Sequence, residues 1–125
     1  MKYLFFLTLT ISTVISQENV FFSEYGEGSG YNKYLEIYNG TDAEIDLSVY
    51  SLSSCQSGCG TEGQFDFPDN VTFASGTIVA AGDVYVVCHG SASDAIIEEC
   101  DQTFPYLSNG DDFFALTEAG ANSES

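Results

Sequence analysis

Short apolar or alternating runs, separated by Gly, Asn, Asp and Ser, occupy the chain after residue 16. VFFSEY (Val20 to Tyr25) leads into the glycine-rich loop GEGSGYN and then YLEIYN (Tyr34 to Asn39). There Leu35 and Ile37 share one face and Tyr34, Glu36 and Tyr38 the other, the period of two that marks a strand. A turn at Asn39 to Ala43 precedes IDLSVYSLSSC (Ile45 to Cys55), where Leu47, Val49 and Ser51 alternate with Asp46, Ser48 and Tyr50. Residues 33 to 52 therefore read as a hairpin that buries its leucine and isoleucine between two facing sheets.

A Gly and Ser loop runs from Cys55 to Gly63, and QFDFP and VTF follow as two short strands around a turn at Pro68-Asp69-Asn70. TIVAAGDVYVVCHG predicts a strand, a tight turn at Ala81-Gly82-Asp83, and a buried strand from Val84 to Cys88. One helix is expected over about residues 92 to 100, with Ser91 as its cap, Asp94 as the capping-box acid, and Ile96 and Cys100 one turn apart. LSNGDD makes a turn before the strand FFALT (Phe113 to Thr117), and EAGANSES is a polar tail. Many short strands with frequent turn signals predict an all-β antiparallel sandwich with one short helix.

The first sixteen residues read differently. Lys2 precedes an apolar stretch from Tyr3 to Ile15 and small residues at Val14 and Ser16, the pattern of a secretory signal peptide cleaved after Ser16. The stretch is shorter than the roughly 20 residues that span a bilayer. Residues 17 to 125 are then one domain, destined for secretion. Its charge is extreme, because nineteen carboxylates face Lys33 alone, a net −18 against −17 for the full chain. Such a surface repels phosphate backbones and anionic lipid, so nucleic acid and membrane are not expected partners. It also keeps a secreted domain soluble. With 44% apolar residues the chain has enough hydrophobic side chains to fold despite that charge.

Four cysteines, Cys55, Cys59, Cys88 and Cys100, predict two disulfides in an oxidising compartment. Of three possible connectivities, Cys55–Cys59 and Cys88–Cys100 close the short local loops and are favoured. A zinc site built from Cys55, Cys59, Cys88 and His89 is the alternative, but neighbours on a strand point to opposite faces. Asn39-Gly40-Thr41 and Asn70-Val71-Thr72 are glycosylation sequons in a eukaryotic setting.

The runs resemble a lamin-tail domain, the immunoglobulin-like sandwich at the ends of nuclear lamins and in many secreted proteins. The resemblance rests on Ser23-Glu24-Tyr25, Glu27-Gly28-Ser29, Asn32-Lys33, Leu35-Glu36-Ile37-Tyr38-Asn39, Asp46-Leu47-Ser48 with Tyr50-Ser51-Leu52, Ala81-Gly82-Asp83-Val84-Tyr85-Val86, and Asn109-Gly110-Asp111-Asp112. It is similar to the secreted branch, in which such domains accompany extracellular nucleases, phosphatases or adhesive modules. The resemblance implies an immunoglobulin-like fold. The nuclear and chromatin roles do not transfer to a chain with a signal peptide and one mature lysine. The family pattern continues after FFALTEAG into at least one more strand, so the expectation here is a fragment of a longer protein or a sandwich with an open edge.

Little in the chain suggests catalysis. His89 is the sole histidine, there is no Gly-x-Ser-x-Gly elbow, and the GEGSG loop leads to a strand rather than a helix. A carboxylate-based hydrolase would need paired acids across a cleft. A calcium-dependent adhesive or matrix protein is the rival to plain binding: Glu24, Glu27, Asp111 and Asp112 supply oxygen ligands if the GEGSG loop and the NGDD turn share one end of the sandwich. Lys33 is expected to pair with Glu36 or Asp111 and fix the loop before YLEIYN. The reading is a non-enzymatic binding or accessory module with no obligate cofactor and a protein or polysaccharide partner.

Overall fold

The computed structural model describes residues 19–107 and 109–121, and the expected leader lies outside them. Its strands are β1 (Val20–Glu27), β2 (Lys33–Asn39), β3 (Ile45–Asp46), β4 (Tyr50–Cys55), β5 (Phe67–Thr72), β6 (Ile78–Val79), β7 (Val84–Cys88), β8 (Gln102–Thr103) and β9 (Phe113–Glu118). A turn of 3-10 helix covers Leu47–Val49, and the helix α1 covers Asp94–Ile97. One sheet has the order β1-β2-β7-β8, a second has β5-β4-β9, and β3 pairs with β6 as a separate two-stranded sheet. All pairs are antiparallel except β7 with β8. This is the all-β sandwich that the alternation predicts.

The core forms where the inner faces meet. Leu35 and Ile37 from β2 and Val87 from β7 join Leu52 from β4 and Val71 from β5, with Leu47, Phe73, Val79 and Leu107 filling between them. Each such side chain contributes about 1.5–3 kcal/mol by leaving water. Two polar residues continue the inner row of β2, Lys33 at one end and Asn39 at the other, and both are buried. Asn39 replaces backbone partners: its Nδ2 donates to the carbonyls of Ala43, Val79 and Ala80, and its Oδ1 accepts from Thr41 N–H and Oγ1. It therefore pins the chain at the exit of the first sheet.

That exit corrects the hairpin reading of residues 33–52. β2 pairs with β1 and β7, whereas β4 pairs with β5 and β9, so the chain crosses from one sheet to the other. The run Ile45–Cys55 is not one strand either. Asp46 accepts from Ser48 N–H and Gly76 N–H, both at 2.9 Å, and bends the chain into the 3-10 turn. These backbone donors hold its carboxyl below the ordinary aspartate value. Val49 consequently points outward, at 59% exposed, instead of alternating inward.

β5 is likewise one strand where two were expected. Pro68, Asp69 and Asn70 lie inside it as an irregularity, with Asp69 at φ 50°, a left-handed conformation that an aspartate tolerates. Asp69 stays there because it covers the outer face of β4. It accepts from Ser51 Oγ and Gly120 N–H, and its own N–H donates to Ser53 Oγ. Thr117 on β9 contacts both serine hydroxyls at 2.9 Å. β4 is thus buried on both faces, apolar inward and hydroxyl-bonded outward.

α1 is shorter than expected and begins later. Ser93 stands at its cap and Asp94 is its first residue, so Ser91 and the capping box fall outside it; the next residues turn into the Cys100 disulfide. The Ala81-Gly82-Asp83 turn forms as expected, with Gly82 at φ 76°, but β6 and β7 belong to different sheets.

Candidate functional site

The structure joins Cys55 to Cys59 and Cys88 to Cys100, the favoured local pairs, which removes the thiolates that a zinc site would need. His89 is occupied elsewhere: its ring stacks on Tyr31 at 4.4 Å, and its Nδ1 accepts from Ser91 N–H. Lys33 meets neither Glu36 nor Asp111 as expected. Its ammonium lies 3.8 Å from Glu27 Oε1 and 3.2 Å from Asn109 Oδ1, while Glu36 accepts from Ser23 Oγ at 2.6 Å. The lysine ties the β1–β2 hairpin to the turn before β9.

The four carboxylates offered for calcium do not converge. Glu27 does approach the NGDD turn, since a Cβ placed on Gly110 would lie 3.2 Å from its Oε1. Asp112 spends its oxygens on Ser57 N–H and Asn109 N–H, shaping that turn. Glu24 is further along β1, opposite Glu36, where it accepts from the Tyr34 hydroxyl at 3.0 Å. Among the described residues no group of three or more His, Cys, Asp or Glu side chains could hold a metal ion.

The two sequons differ. Asn39 is 0% exposed and its amide nitrogen is used up in the core, so the folded chain offers no room for a glycan there, contrary to expectation. Asn70 is half-buried and donates to Ser54 Oγ at 2.8 Å.

Three hollows remain as candidates, two of them adjoining. One is an open cleft of about 220 Å³ against the second sheet. Its floor follows a register row across the second sheet, Phe67 on β5, Ser54 on β4 and Phe114 on β9. Gln56, Asn70 and Tyr106 form its walls. A smaller hollow of about 110 Å³ shares Gln56 and Tyr106 with it and reaches Tyr31, Lys33 and His89. This end of the sandwich exposes Tyr106 at 70%, Phe113 at 51% and Phe67 at 43%, and Phe65 stacks on Phe113. Phe67 and Phe113 start β5 and β9 and Tyr106 lies on a loop, and rings exposed together at one end form the kind of apolar patch that marks an interaction surface. The sequence puts Phe67 in the short strand QFDFP without giving it a face; only its pairing with Ser54 places it at the mouth. Tyr106 and Gln56 carried no pattern at all.

The third hollow is larger, about 490 Å³, and its lining includes Glu24, Glu36, Asp83, Glu98, Glu99 and Asp101. Most of these acids serve local structure. Glu24 and Glu36 hold side chains on β1 and β2, Asp83 Oδ1 accepts from Val84 N–H, and Asp101 Oδ2 accepts from Val86 N–H at 2.8 Å. The Tyr34 phenol is raised above its usual range, first by its hydrogen bond to Glu24 and then by burial. Its ring is laid over Gly26, where any Cβ would collide with it. Tyr85 is raised as well, by burial and then by the Asp101 charge.

Among the described residues no helix is long and apolar enough to cross a membrane. A family model described as Lamin Tail Domain matches residues 13–124. No curated protein and no solved structure matches the chain.

Proposed function

Since the chain belongs to the lamin tail domain family, whose members are immunoglobulin-like binding and structural modules, we propose that it is a secreted, non-enzymatic binding module that contacts its partner with the aromatic end. The observation that carries this reading is the pair of hollows joined through Tyr106 and Gln56 and rimmed by exposed rings. Small convergent polar groups beside apolar walls are what ligand sites share. The Cys55–Cys59 bridge lies at the same end and braces the loop that supplies Gln56. Export is supported by the leader-like residues 1–16 and by two disulfides, which persist in oxidising compartments.

Calcium adhesion is the rival, and it has only the approach of Glu27 to the NGDD turn in its favour. An NMR fragment screen tests the reading without knowing the ligand. Hits that shift the amides of Ser54, Gln56, Asn70 and Phe114 and vanish in Tyr106→Ala support it. Hits confined to the acidic hollow, or none anywhere, overturn it. Export has its own test: expressed from its own leader, the chain is expected in the medium beginning at Gln17, and retention of the uncleaved chain in the cytosol counts against secretion.

A further inference from the structure

Every sheet has two edges, and unpaired edges invite foreign strands unless something blocks them. Here β1 is blocked by the irregularity between Phe22 and Glu24 and by its own carboxylates. β5 is blocked by Pro68 and the left-handed Asp69. β8 is only two residues long. β9 has none of these devices. It runs six residues in unbroken register with β4, without proline or glycine, and carries no charge until Glu118. Among the described residues, the backbone groups of Phe113–Thr117 bond to β4 and to nothing on the other side.

We propose that the outer edge of β9 takes up an extended cationic segment of a partner protein as an added strand, with one of its side chains seated in the aromatic cleft. The proposal rests on the cleft reading above and deepens it. The row Phe67–Ser54–Phe114 forms the cleft floor and ends at β9, so the next position in that row belongs to the incoming strand. Edge and pocket therefore meet at one residue, the two ingredients of recognition by strand addition. Main-chain bonds supply the affinity and alternate side chains the selectivity. Charge selects the occupant: Asp111 and Asp112 precede β9, Glu118 ends it, and the mature chain has nineteen carboxylates for one lysine. A segment of β-branched and apolar residues with lysine or arginine at its ends complements that edge, whereas a second copy of this chain brings like charges together.

The test uses the exported chain with both disulfides formed and a labelled peptide, Lys-Val-Thr-Val-Thr-Val-Lys, followed by anisotropy and amide hydrogen exchange. Two further peptides carry N-methyl groups on alternate residues, each blocking the N–H groups of one edge. Binding is expected to protect Phe113–Glu118, to weaken about tenfold or more with one N-methyl set and little with the other, and to weaken similarly with glutamate ends. The Phe67→Ala variant, outside the core, is expected to bind more weakly and to remain folded. Equal binding by both N-methylated peptides, or fragment hits in the cleft with no peptide binding, overturns strand addition and leaves the cleft reading standing. Loss of both fragment and peptide binding defeats the two together. Sedimentation at twice the monomer mass, with β9 protected in the absence of peptide, makes a second copy the occupant and also overturns the proposal.

Discussion

The acidic hollow has more than twice the volume of the aromatic cleft, yet it is the poorer candidate. Four of its six carboxylates, Glu24, Glu36, Asp83 and Asp101, accept hydrogen bonds from groups on β1, β2 and β7, so most of their clustering has a structural explanation. The rings at the aromatic end touch one another, Phe65 on Phe113 and Phe104 on Tyr106, yet leave Tyr106 and Phe113 more than half exposed. Size alone does not identify a site; side chains left over after the fold is satisfied do. The acidic hollow and the aromatic cleft each have their own disulfide, Cys100 lining the first and Cys55 the second, which allows the two to be perturbed separately.

The largest effect expected comes from those bridges. Replacing Cys88 and Cys100 by serine frees a loop with a separation of 12 residues, and is expected to cost about 3 kcal/mol in denaturant unfolding. The Cys55 and Cys59 pair closes a separation of only 4 and is expected to cost about 2 kcal/mol. Fragment binding should be lost with the second pair and kept with the first. The opposite assignment would break the comparison.

Next in size are the surface variants. Tyr106→Ala is expected to leave stability within about 0.5 kcal/mol while weakening cleft ligands about tenfold. Glu98→Gln with Glu99→Gln should change neither, as read by thermal melting and the same fragment titration.

A smaller effect concerns the phenol in the acidic hollow. Glu24→Gln is expected to lower the Tyr34 titration toward the ordinary tyrosine value, measured by ultraviolet difference spectra. Because the folded value is raised, the stabilisation linked to it is fully present below the unfolded value of about 10 and is lost as pH rises through the folded one. An unmoved titration would show that the Glu24 bond does not define this region. Smallest of all is calcium: calorimetric titration is expected to give no saturable heat, and a clear isotherm with a rise in melting temperature would restore the adhesive rival.

Which parts of this were legible in the sequence depends on the range of the interactions involved. Leu35 and Ile37 are readable as core because alternation and burial coincide on β2, and Val87 because it lies in the apolar run of β7; both strands pair on both sides. The partner of each strand is not readable, because alternation says which face is buried and not which neighbour lies alongside. The crossing between β2 and β4 depends on Asn39 reaching carbonyls some forty residues away, and Val49 faces water because Asp46 captures Gly76 N–H. The sequence shows that Lys33 needs a carboxylate but not which one: Glu27 is its cross-strand neighbour in the hairpin, while the expected Glu36 lies on the opposite face of β2. The cleft was invisible for the same reason, since its floor is a row across three strands.

Asn39 carries one more consequence. In a eukaryotic secretory pathway, oligosaccharide transfer acts on the nascent chain before tertiary structure hides its acceptors, and this asparagine displays an intact sequon until β2 closes against β7. A sugar attached in that interval would bar the amide from its three carbonyls for the life of the molecule. Production in such a host is thus a race between collapse and modification, and the fraction that loses it is lost to the native state.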